Sequence, residues 1–369
     1  MPFICKPGMV THDHHPIYCV DVSADGTRLV TGGGDNKVRV WATSSLLSVT
    51  PTQQVLAGTP LLATLAEHHG SVNCVKFAPE PWSTFAVVSG SDDRTLLLWS
   101  LVRGARKGTQ ATASASSIVF SGGASVEKWT VVHRLEGHTG DISAVDFCVQ
   151  SHLIVSASFA QEVILWDADS FRRVGRITVG TGPLMGMAVD PVGKYIACMS
   201  QSGVVSLLTL TESATRTGSS HDAKGGVSSV LTARGANRPR IFLHSTAKVS
   251  LTDSTLARST CSFFTRIAWH PSGETLAVTG LKQDNINVPV CALLARDTWS
   301  LNGDRLYGHT KPTLACSFHA RLFHTGDPTK SHSVFALTGA DGNLSVWRSD
   351  ERRPRAITSL FEQGVLDAA

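Results

Sequence analysis

The sequence has no run of about 18 apolar residues, so no transmembrane helix is expected. Its N-terminus, MPFICKPGMVTHDHH, lacks a basic stretch followed by an apolar core, and no secretory signal is expected either. The eight cysteines (5, 19, 74, 148, 198, 261, 291 and 316) include no CxxC pair. Scattered through 369 residues, they read as small buried hydrophobes of a reducing compartment, not as a disulfide framework or zinc site. Charge is sparse: 17% of residues are charged, and the formal net charge of +4 is too small and dispersed to mark a DNA-binding face. GTGPLMG (180–186) misses the GxGxxG spacing, no P-loop occurs, and no recognisable nucleophile motif assembles. HDHH (12–15) has metal-like residues without partners at ligand spacing. The sequence therefore predicts no enzyme, metal or other cofactor. What it has is 42% hydrophobic residues, enough for a sizeable core and too many for a disordered chain.

That apolar content is organised as repeats. VVSGSDDRTLLLW (87–99) has counterparts at 29–41, 154–166 and 335–347, each an apolar run, a small-residue turn and a second apolar run closing on Trp. Period-2 alternation about a short turn is a β-hairpin. A further strand precedes each, in IYCVDVSADG, SVNCVKFAPE, DISAVDFCVQ and TLACSFHARL. LEGHTGDI (135–142) and LYGHTKPT (306–313) place Gly-His ahead of it, and LAEHHGSV (65–72) fits the same frame. Weaker copies run through 183–208 and 263–280. Gly-His, then V-x-F, then Asp and Trp resembles the WD-repeat blade of a β-propeller, an all-β fold. Six blades are predicted at about 9–41, 64–100, 129–168, 171–210, 261–296 and 300–348. Residues 356–369 read as the start of a seventh, with 3–7 as its closing strand, so the design is seven-bladed with the last blade incomplete. Residues 42–62, 101–128 and 211–260 read as loop inserts, and Arg234–Arg240 as a solvated basic stretch.

The repeated His and Asp admit a catalytic reading, but recurrence at repeat spacing favours a structural one. His68 and Asp93 are predicted to meet near Ser89 and Trp99, and His309 to meet Asp341 near Trp347. Blade three keeps His138 but has Ala160 at the Asp position, and blade four has Ser202 and Leu208 for Asp and Trp. A mechanism would not survive such decay in parallel copies; a scaffold with several braces would.

With order and inserts set, a family resemblance emerges. KPGMVTHDHHPIYCVDVSADGTRLVTGGGDNKVRVW, HHGSVNCVKF, GHTGDISAVDF, DPVGKYIA and DGNLSVW carry it, together with IVFSGGASVEKWTVVHRL (118–135) and the TW step at 298–299 ahead of GH. These look like the N-terminal propeller of the HIRA/Hir histone chaperone family, over residues 3–367. The resemblance implies a non-catalytic subunit of a nuclear complex that deposits core histones independently of replication and represses histone genes. It also implies a propeller that binds a ubinuclein/Hpc-type subunit. Asp and Glu, 29 in all, form no acidic run that would cradle basic histones, so histones are expected to be contacted mainly indirectly. Neither membrane nor sequence-specific nucleic acid is an expected partner. The alternatives are the WD-repeat subunit of chromatin assembly factor one and a WD-repeat substrate receptor of a ubiquitin ligase, since fold alone does not separate them.

One residue breaks the strand pattern. Aligning the V-x-F cores puts Cys19, Cys74, Ala144, Gly186, Arg266 and Ala315 in register, five small residues and one arginine. Two readings stand. Arg266 pairs with a carboxylate inside the propeller, or its guanidinium reaches the channel mouth and anchors a partner.

Overall fold

The structure, a computed structural model, describes residues 9–46, 60–80, 82, 84–102, 126–213, 240–251, 256–259, 262–324, 331–351, 353–359 and 361–368. Six antiparallel sheets succeed one another along the chain and form the blades of a β-propeller. Blade one is β1 (Ile17–Val22), β2 (Arg28–Gly33), β3 (Val38–Ala42) and β4 (Leu61–Leu65), with the short helix α1 (Thr43–Leu46) between the last two. Blade two is β5 (Val72–Phe77), β6 (Val87–Ser91), β7 (Thr95–Leu101) and β8 (Trp129–Glu136). Blade three is β9 (Ile142–Cys148), β10 (Leu153–Ser158), β11 (Glu162–Asp167) and β12 (Arg173–Thr178). Blade four is β13 (Leu184–Val189), β14 (Tyr195–Ser200), β15 (Val204–Ser213) and β16 (Arg240–Ser250). In blade five, β17 (Leu256–Arg258) and β18 (Ala268–Trp269) both pair with β19 (Thr275–Gln283), which leads to β20 (Val288–Ala295) and β21 (Leu301–Leu306). Blade six is β22 (Thr313–Phe318), β25 (Val334–Gly339), β26 (Asn343–Arg348) and β27 (Ala356–Ser359). A two-stranded ribbon, β23 (Phe323–His324) and β24 (Ser331–His332), interrupts it.

The sequence repeat and the blade are offset by one strand. Residues 61–65, 129–136, 173–178 and 301–306 close blades one, two, three and five, although the repeat boundaries assigned most of them to the blade that follows. The reason is pairing. A Trp-bearing third strand exposes a row of N–H and C=O groups, and the next stretch of chain satisfies it, as Trp129–Glu136 does along β7. Residues 356–359 are accordingly the outer strand of blade six, paired with Asn343–Val346, and do not start another blade. The expected 211–260 loop also contains strand: β15 runs through Ser213, and β16 pairs along its whole length. Ile241 and Leu243 there enter the core, the alternation a half-buried strand requires. Residues 3–7, 118–125 and 234–239 lie outside the described residues.

Inner strands pack in order around the axis, β1 on β5, β5 on β9, β9 on β13, β13 on β18 and β18 on β22. Between adjacent blades lie apolar clusters, the dominant stabilising burial of the fold. In the middle of the ring, β10, β11, β13 and β14 are buried on both faces. At its ends, β1 and β26 are only partly buried. Residues 361–368 run beside the axis between blade six and blade one: the Val365 N–H donates to the Gly339 carbonyl at 3.0 Å, and Asp367 accepts from the Val20 N–H at 3.1 Å.

Candidate functional site

Within blades, the recurring polar residues converge on one geometry. In blade two, His68 Nδ1 lies 2.8 Å from Asp93 Oδ2 and His68 Nε2 lies 2.7 Å from Ser89 Oγ. The Trp99 indole N–H donates to the same Ser89 hydroxyl at 2.8 Å. The imidazole therefore links the loop ahead of the blade to its hairpin turn and to the third strand. Burial alone would raise the Asp93 carboxyl, but hydrogen bonds from His68, the His69 N–H and Thr95 outweigh it and hold the group well below the usual carboxylate range. Blade six repeats the set with a local change. His309 meets Asp341 at 3.1 Å, but Ser345 on the third strand replaces the second-strand serine, accepting from Trp347 at 2.9 Å. Burial again opposes, and His309 with the Thr310 and Asn343 N–H groups prevails, holding Asp341 down to about 2.

Two further braces were not read from the sequence. In blade one, His12 of HDHH bonds Asp35 at 2.6 Å and Thr31 at 2.8 Å, and Trp41 donates to Thr31 at 2.8 Å. Its signal was the fixed six-residue step from Asp to Trp, shared by Asp35–Trp41 and Asp93–Trp99. In blade three, Glu162 replaces the missing Asp: it accepts from Thr139, pairs with Arg176 and lies 3.7 Å from His138 Nδ1. That distance is too long for a hydrogen bond, and His138 Nδ1 has no partner. Burial pulls the His138 imidazole down to about 4, with Glu162 opposing. Blade four substitutes a hydroxyl relay in which Ser200 meets Ser202 at 2.8 Å and Ser202 donates to the Thr181 carbonyl at 2.7 Å.

At the axis the structure places Arg266. Its guanidinium donates to the Ser143 carbonyl of blade three at 2.7 Å and to the Asn73 carbonyl of blade two, and its Nε lies 3.9 Å from Asp367. An arginine of blade five thus ties three other parts of the ring together. It reaches them because the backbone ahead of β18 crosses blade four at Gly186, where an added Cβ would stand 2.1 Å from the Thr265 carbonyl oxygen. Only glycine permits that approach. Phe264 beside it stacks on Tyr18 of blade one, with ring centroids 4.7 Å apart.

Beyond Arg266 the channel, about 440 Å³, leads toward Pro191, Pro271 and His319 on the opposite face. Asp21 and Asp146 accept from the Phe77 and Val189 N–H groups of the following blades, at 2.7 and 2.8 Å, and both carboxylates act on the Lys76 ammonium. Burial raises the carboxyls of Asp21 and Asp367, with Lys76 and Arg266 respectively the main opposing charges. Asp21 foremost raises the Lys76 ammonium. Each inner-strand carboxylate is therefore a latch from one blade to the next. Burial pushes the thiols of Cys74 and Cys198 up to about 12, so they stay protonated and are poor nucleophiles. Among the described residues no group of three or more His, Cys, Asp or Glu side chains could hold a metal ion, and no helix is long and apolar enough to cross a membrane.

The TW step builds the junction of blades four and five. Arg296 grips the buried Asp190 through two bonds of 3.0 and 2.7 Å. Its guanidinium lies over Tyr195 and Trp269 at 5.0 and 5.8 Å, and Trp299 meets both rings edge-on.

Residues 3–338 match the CAF1B/HIR1 beta-propeller domain. Similar proteins include Protein HIR1 of Aspergillus oryzae, 27% identical over 96% of this chain and 32% of that protein. Protein HIR1 of Kluyveromyces lactis is 28% identical over 94% of this chain and 38% of its own length. Protein HIR1 of Eremothecium gossypii is 27% identical over 99% and 44%. The chain thus spans about a third to under a half of these relatives. Blade order and a match over nearly its full length agree: the chain belongs to the CAF1B/HIR1 β-propeller family and, with its HIR1 relatives, to the HIRA/Hir family of WD-repeat chromatin proteins.

Proposed function

We propose that this chain is the propeller of a non-catalytic scaffold subunit in a nuclear histone chaperone complex, serving replication-independent nucleosome assembly and the transcriptional control of histone genes. The observation that carries this reading is the similarity to HIR1 proteins over 94–99% of the chain. The polar geometry supports the non-catalytic part: the recurring His–Asp and His–Glu pairings of blades one, two, three and six are repeat braces, and the buried thiols remain protonated. Under this reading the propeller binds an Hpc/ubinuclein-type subunit, and core histones are held mainly through that partner. The charge pattern supports the indirect contact, since no acidic run offers itself to a histone.

The reading includes closure as seven blades. Trp99 packs against blade one, Trp166 against blade two and Trp347 against blade five, so these three blades each turn the third-strand Trp toward the blade before. By that rule Trp41 turns toward a position ahead of blade one. On the other flank of the gap, Leu344, Val346 and Ala336 of blade six are only half-buried, on the face opposite Trp347. A seventh blade between the two would cover both faces.

The alternative in the same class, the WD-repeat subunit of chromatin assembly factor one, is favoured by one observation, that the matching domain is shared by the CAF1B and HIR1 groups. Tagging the protein in its own cells and identifying what copurifies from nuclear extract separates the readings. Histones H3 and H4 together with an Hpc-type subunit support the proposal. Recovery of the other chromatin assembly factor subunits, or of cullin-linked adaptors, would overturn it.

A further inference from the structure

The channel mouth on the brace-bearing face carries a surface that the scaffold does not explain. Phe263 is 65% exposed, the most exposed aromatic side chain among the described residues. It is not isolated. Phe159, in the β10–β11 turn of blade three, meets it edge-to-face at 6.1 Å, although blade four lies between their blades. The crossing at Gly186 brings them together, and the Tyr18–Phe264 stack and the Arg266 ties fix the segment from beneath. An aromatic held rigidly at the surface loses little freedom when a partner covers it, which suits it to anchor an interface.

Two carboxylates, Asp141 and Asp92, lie on the neighbouring turns, with the cation Arg94 beside Asp141. The Phe159 N–H donates to the Asp141 backbone carbonyl at 3.0 Å, so Asp141 adjoins the aromatic pair in the chain packing. Asp92, on the adjoining turn of blade two, accepts from Asn73 at 2.6 Å. Both are exposed, and neither is in an ion pair among the described residues. They repel one another: burial first and Asp92 second raise the Asp141 carboxyl, and Arg94 only partly offsets them. A cation brought to this edge relieves that repulsion, and an apolar side chain beside the cation covers Phe263.

We propose that the surface formed by Phe159 and Phe263 with Asp92 and Asp141 docks a basic protein segment, one that presents an arginine or lysine next to an apolar side chain. An acidic partner is disfavoured by the two carboxylates, and a purely polar one leaves the phenyl ring wet. The proposal extends the scaffold function by naming a surface and its partner's chemistry, and it stands on this geometry whichever complex the chain serves.

The test uses the whole chain as bait for a phage-displayed library of random dodecapeptides. Enriched peptides are then synthesised with a fluorophore and titrated by fluorescence polarisation. Enriched sequences should pair Arg or Lys with a neighbouring aromatic or aliphatic residue. Phe263→Ser should weaken them at least about tenfold while the thermal melt stays unchanged, because that ring is mostly outside the core. The Asp92→Asn, Asp141→Asn double variant should weaken them about three- to tenfold in dilute buffer and hardly at all in about 1 M salt. No enrichment, enrichment of acidic or wholly polar peptides, or undiminished binding by Phe263→Ser overturns the proposal. Peptide binding that survives alongside failed copurification of histones would separate this inference from the chaperone reading.

Discussion

Replacing Gly186 with alanine tests the account of Arg266 from the far side of a backbone contact. The new methyl carbon would sit 2.1 Å from the Thr265 carbonyl oxygen, closer than real Cβ atoms come, and the obstructing atom is backbone. Relief needs a shift of about 1 Å or more, and Thr265 leads directly into Arg266. A shift of that size breaks the 2.7 Å bond from the guanidinium to Ser143 and its companion to Asn73. Overpacking of this kind costs about 1–3 kcal/mol. Each charge-assisted bond adds about 1.5 kcal/mol, the low end of the range because channel water can partly replace the lost partner. The expected total for Gly186→Ala is about 4–6 kcal/mol. Arg266→Met removes the same two bonds and leaves Asp367 without its main countercharge, costing about 2–4 kcal/mol. In the double variant the bonds are already absent, so alanine adds only its overlap. The two costs should therefore fall short of additivity by about 1–3 kcal/mol. Urea unfolding of the four proteins, followed by tryptophan fluorescence, supplies the cycle. Additivity within about 0.5 kcal/mol, or a cost below about 1 kcal/mol for Gly186→Ala alone, would refute the argument that the glycine exists to seat the arginine.

Three further outcomes are expected. Asp341, depressed to about 2, contributes stability that is complete above the ordinary carboxylate range and is lost as pH falls through about 2. Asp341→Asn should flatten the acid limb of a melting-temperature profile by an amount equivalent to about 1–2 kcal/mol; an unchanged limb contradicts the brace. Ala160→Asp should give the orphaned His138 Nδ1 an acceptor and raise stability by about 1 kcal/mol in a thermal melt, whereas a loss would mean Glu162 already fills the role. Arg296→Met should cost about 3–5 kcal/mol by stranding the buried Asp190, and a cost near zero in urea unfolding would show that water reaches that carboxylate.

What the sequence disclosed and what it concealed differ by the range of the interaction. Hairpins such as Val87–Trp99 are local: alternation and turn chemistry lie within a dozen residues, and the strands formed where the pattern put them. The pairing of His68 with Asp93 was legible because it recurs, since a second copy at similar spacing turns a coincidence into a rule. The His12–Asp35 brace was missed because HDHH has three histidines and no Gly-His step to say which one matters. Outer strands were assigned to the wrong blade because one strand's alternation looks the same whichever edge it joins. Arg266 stood out as an anomaly, yet nothing nearby named Ser143 or Asn73, which are 123 and 193 residues away. Such contacts are set by how blades stack about an axis, and a linear pattern does not encode that distance.

The distribution of ties around the ring follows a consistent logic. Blades one, two and six have complete His–Asp braces, each holding its own loop to its own turn. Blade three keeps a looser version, with His138 Nδ1 3.7 Å from Glu162, and blade four has only serines. Blade four is also where ties from neighbours are densest. Asp146 of blade three bonds its Val189 N–H, the blade-five backbone lies across its Gly186, and Arg296 of blade five holds its Asp190. A blade held from both sides has less need to be held from within, because its strands cannot leave the sheet without breaking charged contacts in two other blades. The same accounting explains where repeat signatures fade. Selection on a ring acts on the sum of internal and neighbouring restraints, so a brace is free to decay where the neighbours are strongest. Among the described residues, the outer flank of blade one has one such bond, from the Val20 N–H to Asp367, and there the His12, Thr31, Asp35 and Trp41 set is complete.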